Sequence, residues 1–134
     1  IGTGPRSVDA AVESVVDFLE VKDFVSVSLM DQRFYHLDTC FCPIDESSAF
    51  IYSPAFSRES VEMLRERFNL IEISEADACC FACNSVIIGD TIIHPLATPA
   101  FSKLIGDLGM REYPVDLSEF MKACGAARCL SLKI

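Results

Sequence analysis

RFYHLDTCFCPID, residues 33–45, is the stretch on which the reading of the fold turns. Phe34, Tyr35, Leu37 and Phe41 read as a buried β-strand, yet His36 and Asp38 stand two residues apart within it. Side chains alternate along a strand, so both project from one face. An ionisable pair in an apolar strand costs free energy unless it is hydrogen-bonded or has a chemical role.

Outward from this stretch, three segments share one plan: residues 1–29, 50–74 and 91–116. Each opens with a short strand that ends at a proline, Pro5, Pro54 or Pro95. Ser7, Ser57 and Thr98 then offer helix N-caps, and Pro99 suits a first helical turn. An amphipathic helix follows; in the second segment Val61, Leu64 and Phe68 give its i, i+3, i+7 stripe. Gly109 is the expected cap ending the third helix. Each segment closes on a strand, near Phe24–Leu29, Leu70–Ser74 and Arg111–Pro114, and a further strand lies between units, in FYHLDTCFC and CNSVIIG. Residues 115–124 read as a short helix and RCLSLKI, residues 128–134, as a half-buried strand. A repeat of about 40 to 50 residues implies units that complete one another's cores.

The composition suits one globular α/β domain, residues 1–134, with half the residues apolar and about a quarter charged. The net charge of −9 argues against nucleic acid as a partner, because phosphate backbones are held by Lys and Arg. No apolar run approaches the ~20 residues that span a bilayer, and the first residues lack the pattern of a signal peptide, so a cytoplasmic protein is expected. Seven cysteines, an odd number, argue against a disulfide framework. Most lie in apolar runs, as Cys79, Cys80 and Cys83 do, where Cys behaves as a small hydrophobe. Cys80 and Cys83 have C-x-x-C spacing and Cys40 and Cys42 form C-x-C, but these spacings match no common zinc finger, and no metal is expected.

One cysteine is placed differently. Cys129 follows the small residues Gly125, Ala126 and Ala127, at the expected start of a strand whose Leu130 and Leu132 face the core. A thiol beside a tight loop is better placed to attack a substrate than one inside an apolar run, and it needs a nearby histidine or positive charge. The two histidines are His36 and His94, and His94, before Pro95, reads as a turn residue. Taken singly, each candidate also has a structural reading: Asp38 a turn cap, Arg6 a surface residue, Asn84 a turn residue or a buried hydrogen-bonding amide.

Together, GTGPRS, FYHLDTCFCPI, FACNSVIIGDTII and VDLSEFMKACGAARCLSLKI resemble, in order, the guanidine-modifying (pentein, or amidinotransferase) superfamily, which includes arginine deiminases, arginine dihydrolases, dimethylarginine dimethylaminohydrolases and glycine amidinotransferase. The resemblance implies an α/β-propeller of strand-strand-helix-strand modules, about three of the family's five in this chain. It implies hydrolysis of a guanidino group of arginine or an N-methylated arginine, with no cofactor. Cys129 corresponds to the nucleophile and His36 to the general acid/base. Asp38 corresponds to the carboxylate that holds the guanidinium, Arg6 to the partner of the substrate's α-carboxylate, and Asn84 to a residue of a pocket-lining strand. The family's upstream acidic, glycine-rich segment has no counterpart here, and Cys124 and Ala126 replace glycines before the nucleophile. The resemblance therefore implies a partial domain: a fragment of a longer protein, or a subunit completed by a second copy or by a partner chain. Transfer of the amidino group to an amine, and a non-catalytic binding module, are the alternatives.

Overall fold

In a computed structural model, which describes residues 1–132, Gly2–Thr3 (β1) pairs in parallel with Val27–Ser28 (β2) across the helix Asp9–Leu19 (α1). Phe41–Pro43 (β3) runs antiparallel to Ser48–Ile51 (β4). The helix Arg58–Arg65 (α2) then returns the chain to Asn69–Glu72 (β5), parallel to β4. After a short helix, Glu75–Cys79 (α3), Val86–Ile88 (β6) runs antiparallel to Thr91–Pro95 (β7). The helix Pro99–Asp107 (α4) leads to Arg111–Val115 (β8), parallel to β7, and Ser118–Met121 (α5) follows. The fold is mixed α/β, and the two three-stranded sheets share one strand order and one set of strand directions.

Local chemistry explains most boundaries. The Ser57 hydroxyl accepts from the Ser60 N–H at the start of α2, and Thr98 does the same for Phe101 at the start of α4, where Pro99 occupies the first turn. Gly109, with φ +70°, ends that helix. Ser7 does not cap α1: its backbone is tied across a tight turn to Gly4, and the helix begins after Val8. Gly4 has φ +144°, and a Cβ there would lie 2.8 Å from the Leu29 carbonyl, so this close approach of β1 and β2 requires glycine.

Phe50 of β4 and Phe101 of α4 meet with ring centroids 5.2 Å apart and join the two larger sheets in one core with Ile51, Ile92 and Ile105. Buried Asp77 binds α3 to α4: one carboxylate oxygen accepts from Ser74 and the other from the Thr98 N–H and hydroxyl. His94 is a buried member of β7, not a turn residue. Its Nδ1 lies 2.6 Å from the Pro95 carbonyl and its Nε2 3.0 Å from the Glu112 carboxylate.

Further expectations are corrected. Residues 33–40 are not a strand; only Phe41–Pro43 is. The Arg33 N–H bonds the Asp31 carboxylate, and the Thr39 N–H and hydroxyl both bond the His36 carbonyl. These short side chains capture the local backbone and close turns in place of a ladder. His36 and Asp38 are thus arranged by a 3-10 turn over Leu37–Thr39, not by strand alternation. Residues 128–132 are not a half-buried strand: the Leu130 N–H returns to the Ala126 carbonyl, and Leu130 and Leu132 are exposed. Residues 133–134 of that expected strand lie outside the described residues. The cysteines of the run 79–83 also differ, with Cys83 buried and Cys79 exposed on α3.

Candidate active site

Asn84 lies in a bend just before β6, not in a strand, and is completely buried. Its amide oxygen accepts from the main-chain N–H of Ala126 at 2.8 Å and of Cys129 at 3.2 Å. Its amide nitrogen lies 3.2 Å from both the Asp38 carbonyl and the Cys129 sulfur. Its own main-chain carbonyl accepts from the Arg128 N–H at 3.0 Å. One residue therefore clamps the loop 126–129 and bonds the thiol that the loop carries. Gly125 completes the fit: a Cβ at that position would stand 3.1 Å from the Cys129 Cβ and 3.4 Å from its sulfur.

The 3-10 turn brings Asp38 to the same thiol, which donates to its carboxylate across 3.5 Å. Asp38, Asn84 and Cys129 are thus in direct contact. His36 and Arg6 form a second group around Tyr35. The His36 imidazole meets the Tyr35 ring edge-on, with centroids 4.8 Å apart, and the Arg6 guanidinium lies 5.0 Å from the centroid of that ring. Among the described residues no hydrogen bond joins His36 to Cys129. The Tyr35 phenol titrates above its ordinary value, chiefly because of the neighbouring Cys124 side chain. Tyr35 read only as a strand hydrophobe in the sequence. Its one distinguishing signal was a hydroxyl directly beside His36.

Burial separates the thiols. It pushes Cys40 up to about 12, Cys42 up to about 11, and Cys83 well above the usual thiol range, so these three stay protonated and inert. Cys129 is exposed, beside a carboxylate that can hold a cation and an amide that can hold a thiolate. From Asp38 and Arg128 a cleft of about 660 Å³ extends between Leu37, Phe41, Pro43 and Ile87. Among the described residues no cluster of three or more His, Cys, Asp or Glu side chains could hold a metal, and no helix is long and apolar enough to cross a membrane.

No protein-family model matches the chain. Individual proteins do. An uncharacterized protein of Caenorhabditis elegans is 43% identical over 135 residues, covering 99% of this chain and 48% of the relative. The bifunctional arginine dihydrolase/ornithine cyclodeaminase ArgZ of Synechocystis is 40% identical over 115 residues, covering 84% of this chain and 16% of the relative. The N(G),N(G)-dimethylarginine dimethylaminohydrolase of Mycobacterium tuberculosis is 38% identical over 111 residues, covering 82% and 37%. The chain thus spans less than half the length of these relatives. The crystal structure of the product-bound N-terminal domain of ArgZ superimposes with a TM-score of 0.91 at 38% identity, over 98% of this chain and 49% of that one. A dimethylarginine dimethylaminohydrolase at 23% identity and a TM-score of 0.78 has the same fold. The chain is homologous to arginine dihydrolases and dimethylarginine dimethylaminohydrolases of the guanidine-modifying (pentein) superfamily, and it aligns with about half of the ArgZ N-terminal domain.

Proposed function

We propose that these residues form the cysteine-bearing part of a guanidino-group hydrolase acting on arginine or an N-methylated arginine. The observation that carries the reading is the convergence of the Asp38 carboxylate and the Asn84 amide on the exposed Cys129 thiol. The relatives support it: ArgZ has been seen with its product and with a covalently bound reaction intermediate.

A guanidinium is resonance-stabilised and a poor electrophile, so a carboxylate must orient it and take up its charge. Asp38 is assigned that role. The Cys129 thiolate adds to the guanidinium carbon, and the tetrahedral species loses ammonia or an alkylamine as His36 supplies the proton. The product of this step is an S-alkylthiouronium. His36 then takes a proton from water, which adds to the same carbon; the C–S bond breaks and citrulline leaves with the thiolate restored. A second passage carries citrulline to ornithine: the thiolate displaces ammonia from the ureido carbon to give a thiocarbamate, water releases the carbamate of ornithine as the C–S bond breaks, and the carbamate loses carbon dioxide. Covalent catalysis divides one hard displacement into two, and one histidine serves both. Arg6 pairs with the α-carboxylate of the substrate. Asn84, being buried, acts through Cys129 and not on the substrate.

The reading requires no cofactor, and its free thiols suit the reducing cytoplasm. It also takes residues 1–134 as part of a pentein propeller of repeated strand-strand-helix-strand modules. The relatives are at least twice as long, and we assign the remaining guanidinium-binding carboxylates to their other half, whether in the same chain, a second copy or a partner. The test is a product assay. The purified protein and its Cys129→Ser variant are incubated with arginine and with dimethylarginine, and citrulline, ornithine and released amine are followed by mass spectrometry. Turnover that vanishes with Cys129 is expected. Turnover that survives the substitution refutes the assigned nucleophile, and a folded, completed domain that turns over neither compound refutes the hydrolase.

A further inference from the structure

We propose that Tyr35 is a positioning residue that sets the span between the two ends of the substrate, and so selects guanidino compounds carrying a carboxylate. The inference rests on the hydrolase reading above and adds a residue to it. The Tyr35 ring touches both the group assigned to the carboxylate end, the Arg6 guanidinium at 5.0 Å, and the group assigned to the reacting end, the His36 imidazole at 4.8 Å. Its mounting is stiff on both sides. The preceding residue, Phe34, is buried against Tyr52 with centroids 5.2 Å apart, and the following turn is closed by bonds from Thr39 to the His36 carbonyl.

Among the described residues Arg6 enters no ion pair, so its guanidinium N–H groups are left for a carboxylate while its guanidinium carbon lies over the ring. An arginine side chain has many rotamers, and ordering one costs binding free energy. A ring that attracts the guanidinium face reduces that cost before substrate arrives. The T-shaped contact with His36 limits the imidazole in the same way. The phenol oxygen is not needed for either contact, because both are made by the ring. Tyr35 therefore couples the reach of Arg6 to the direction of His36, and its effect is on substrates long enough to touch both.

The test compares arginine with agmatine, which is arginine without its carboxylate, in steady-state kinetics of the complete protein. A ring–guanidinium contact at a half-exposed site is worth about 2–5-fold in an equilibrium. In Tyr35→Leu the preference for arginine over agmatine in kcat/KM is expected to fall by that factor, mainly through KM for arginine, while Tyr35→Phe keeps it. In an Arg6→Gln background, which alters an exposed residue, Tyr35→Leu is expected to change the preference no further, because the two act as one unit. An unchanged preference in Tyr35→Leu overturns the inference, as does a loss in Tyr35→Phe equal to that in Tyr35→Leu, or a full additional loss in the Arg6→Gln background. A wild-type protein inert on both compounds removes the hydrolase reading and this inference with it. A wild-type protein active on both, with Tyr35→Leu unaltered, removes only the inference.

Discussion

Replacing Asn84 by alanine should disorder the Cys129 loop in a pattern that one structural fact dictates. The Asn84 amide oxygen holds the N–H groups of Ala126 and Cys129, whereas its main-chain carbonyl holds that of Arg128. The substitution removes the first two bonds and keeps the third. Ala126 is fully buried, so its N–H finds no water and its loss of a partner costs about 1–3 kcal/mol. Cys129 is exposed, so water can replace the bond to its N–H at a cost nearer ~0.5–1 kcal/mol. The Asp38 carbonyl also loses its donor, which brings the expected destabilisation to about 2–4 kcal/mol by urea denaturation. Hydrogen exchange then reads the pattern: the amides of Ala126 and Cys129 lose protection by at least ten-fold, and that of Arg128 changes less. Asn84→Asp is the control. A carboxylate can accept both N–H groups, so the two amides stay protected. It also puts a negative charge about 3 Å from the Cys129 sulfur, where like unit charges at an effective dielectric near 20 repel by several kcal/mol and disfavour the thiolate. Alkylation of Cys129 by iodoacetamide should slow at least ten-fold in that variant. A cost under 1 kcal/mol for Asn84→Ala, or equal loss of protection at all three amides, would refute the clamp.

Asp77→Ala strips the Thr98 N–H, the Thr98 hydroxyl and the Ser74 hydroxyl of one shared acceptor, and should cost about 2–4 kcal/mol in urea, with Asp77→Asn recovering part of it; a cost below 1 kcal/mol contradicts the joint between α3 and α4. The buried thiols predict alkaline sensitivity. Cys40 and Cys42 are raised to about 12 and about 11 when folded, while the unfolded chain sheds these protons near pH 8.5–9. Their contribution is therefore fully present below that pH and is lost as the pH climbs toward 11–12. The urea midpoint should fall steadily from pH 9 upward, and less steeply in Cys42→Ala; a flat midpoint to pH 11 in the wild type would show that these thiols ionise without unfolding.

Elements with their own chemical punctuation were legible in the sequence. Ser57, Thr98 with Pro99, and Gly109 each mark a helix end through contacts made within three or four residues, so the chain order alone exposes them. The stretch 33–40 was not legible, although its burial was. Phe34 and Cys40 are buried in the observed turns just as they would be in a strand, so apolar spacing cannot distinguish the two. What decides is the reach of Asp31 and Thr39 to nearby backbone groups, a competition that leaves no periodicity behind.

The candidate site divides in the same way. The types of its residues were readable, but their places were not. His36 and Asp38 were joined by a strand face that does not exist. In its place, the turn sends the Asp38 carboxylate to Cys129 and the His36 ring to Tyr35. Asn84 reached its role across more than forty residues of chain, where no local pattern could connect it to Ala126 or Cys129. Its amide suits that role because it is neutral and carries both acceptor and donor: the oxygen collects two N–H groups while the nitrogen serves a carbonyl and a sulfur. Aspartate at that place lacks the donor and leucine lacks both functions, so a buried amide at position 84 follows from the loop that must be held there. The thiol and its clamp are a single structural requirement written at two distant points of the chain.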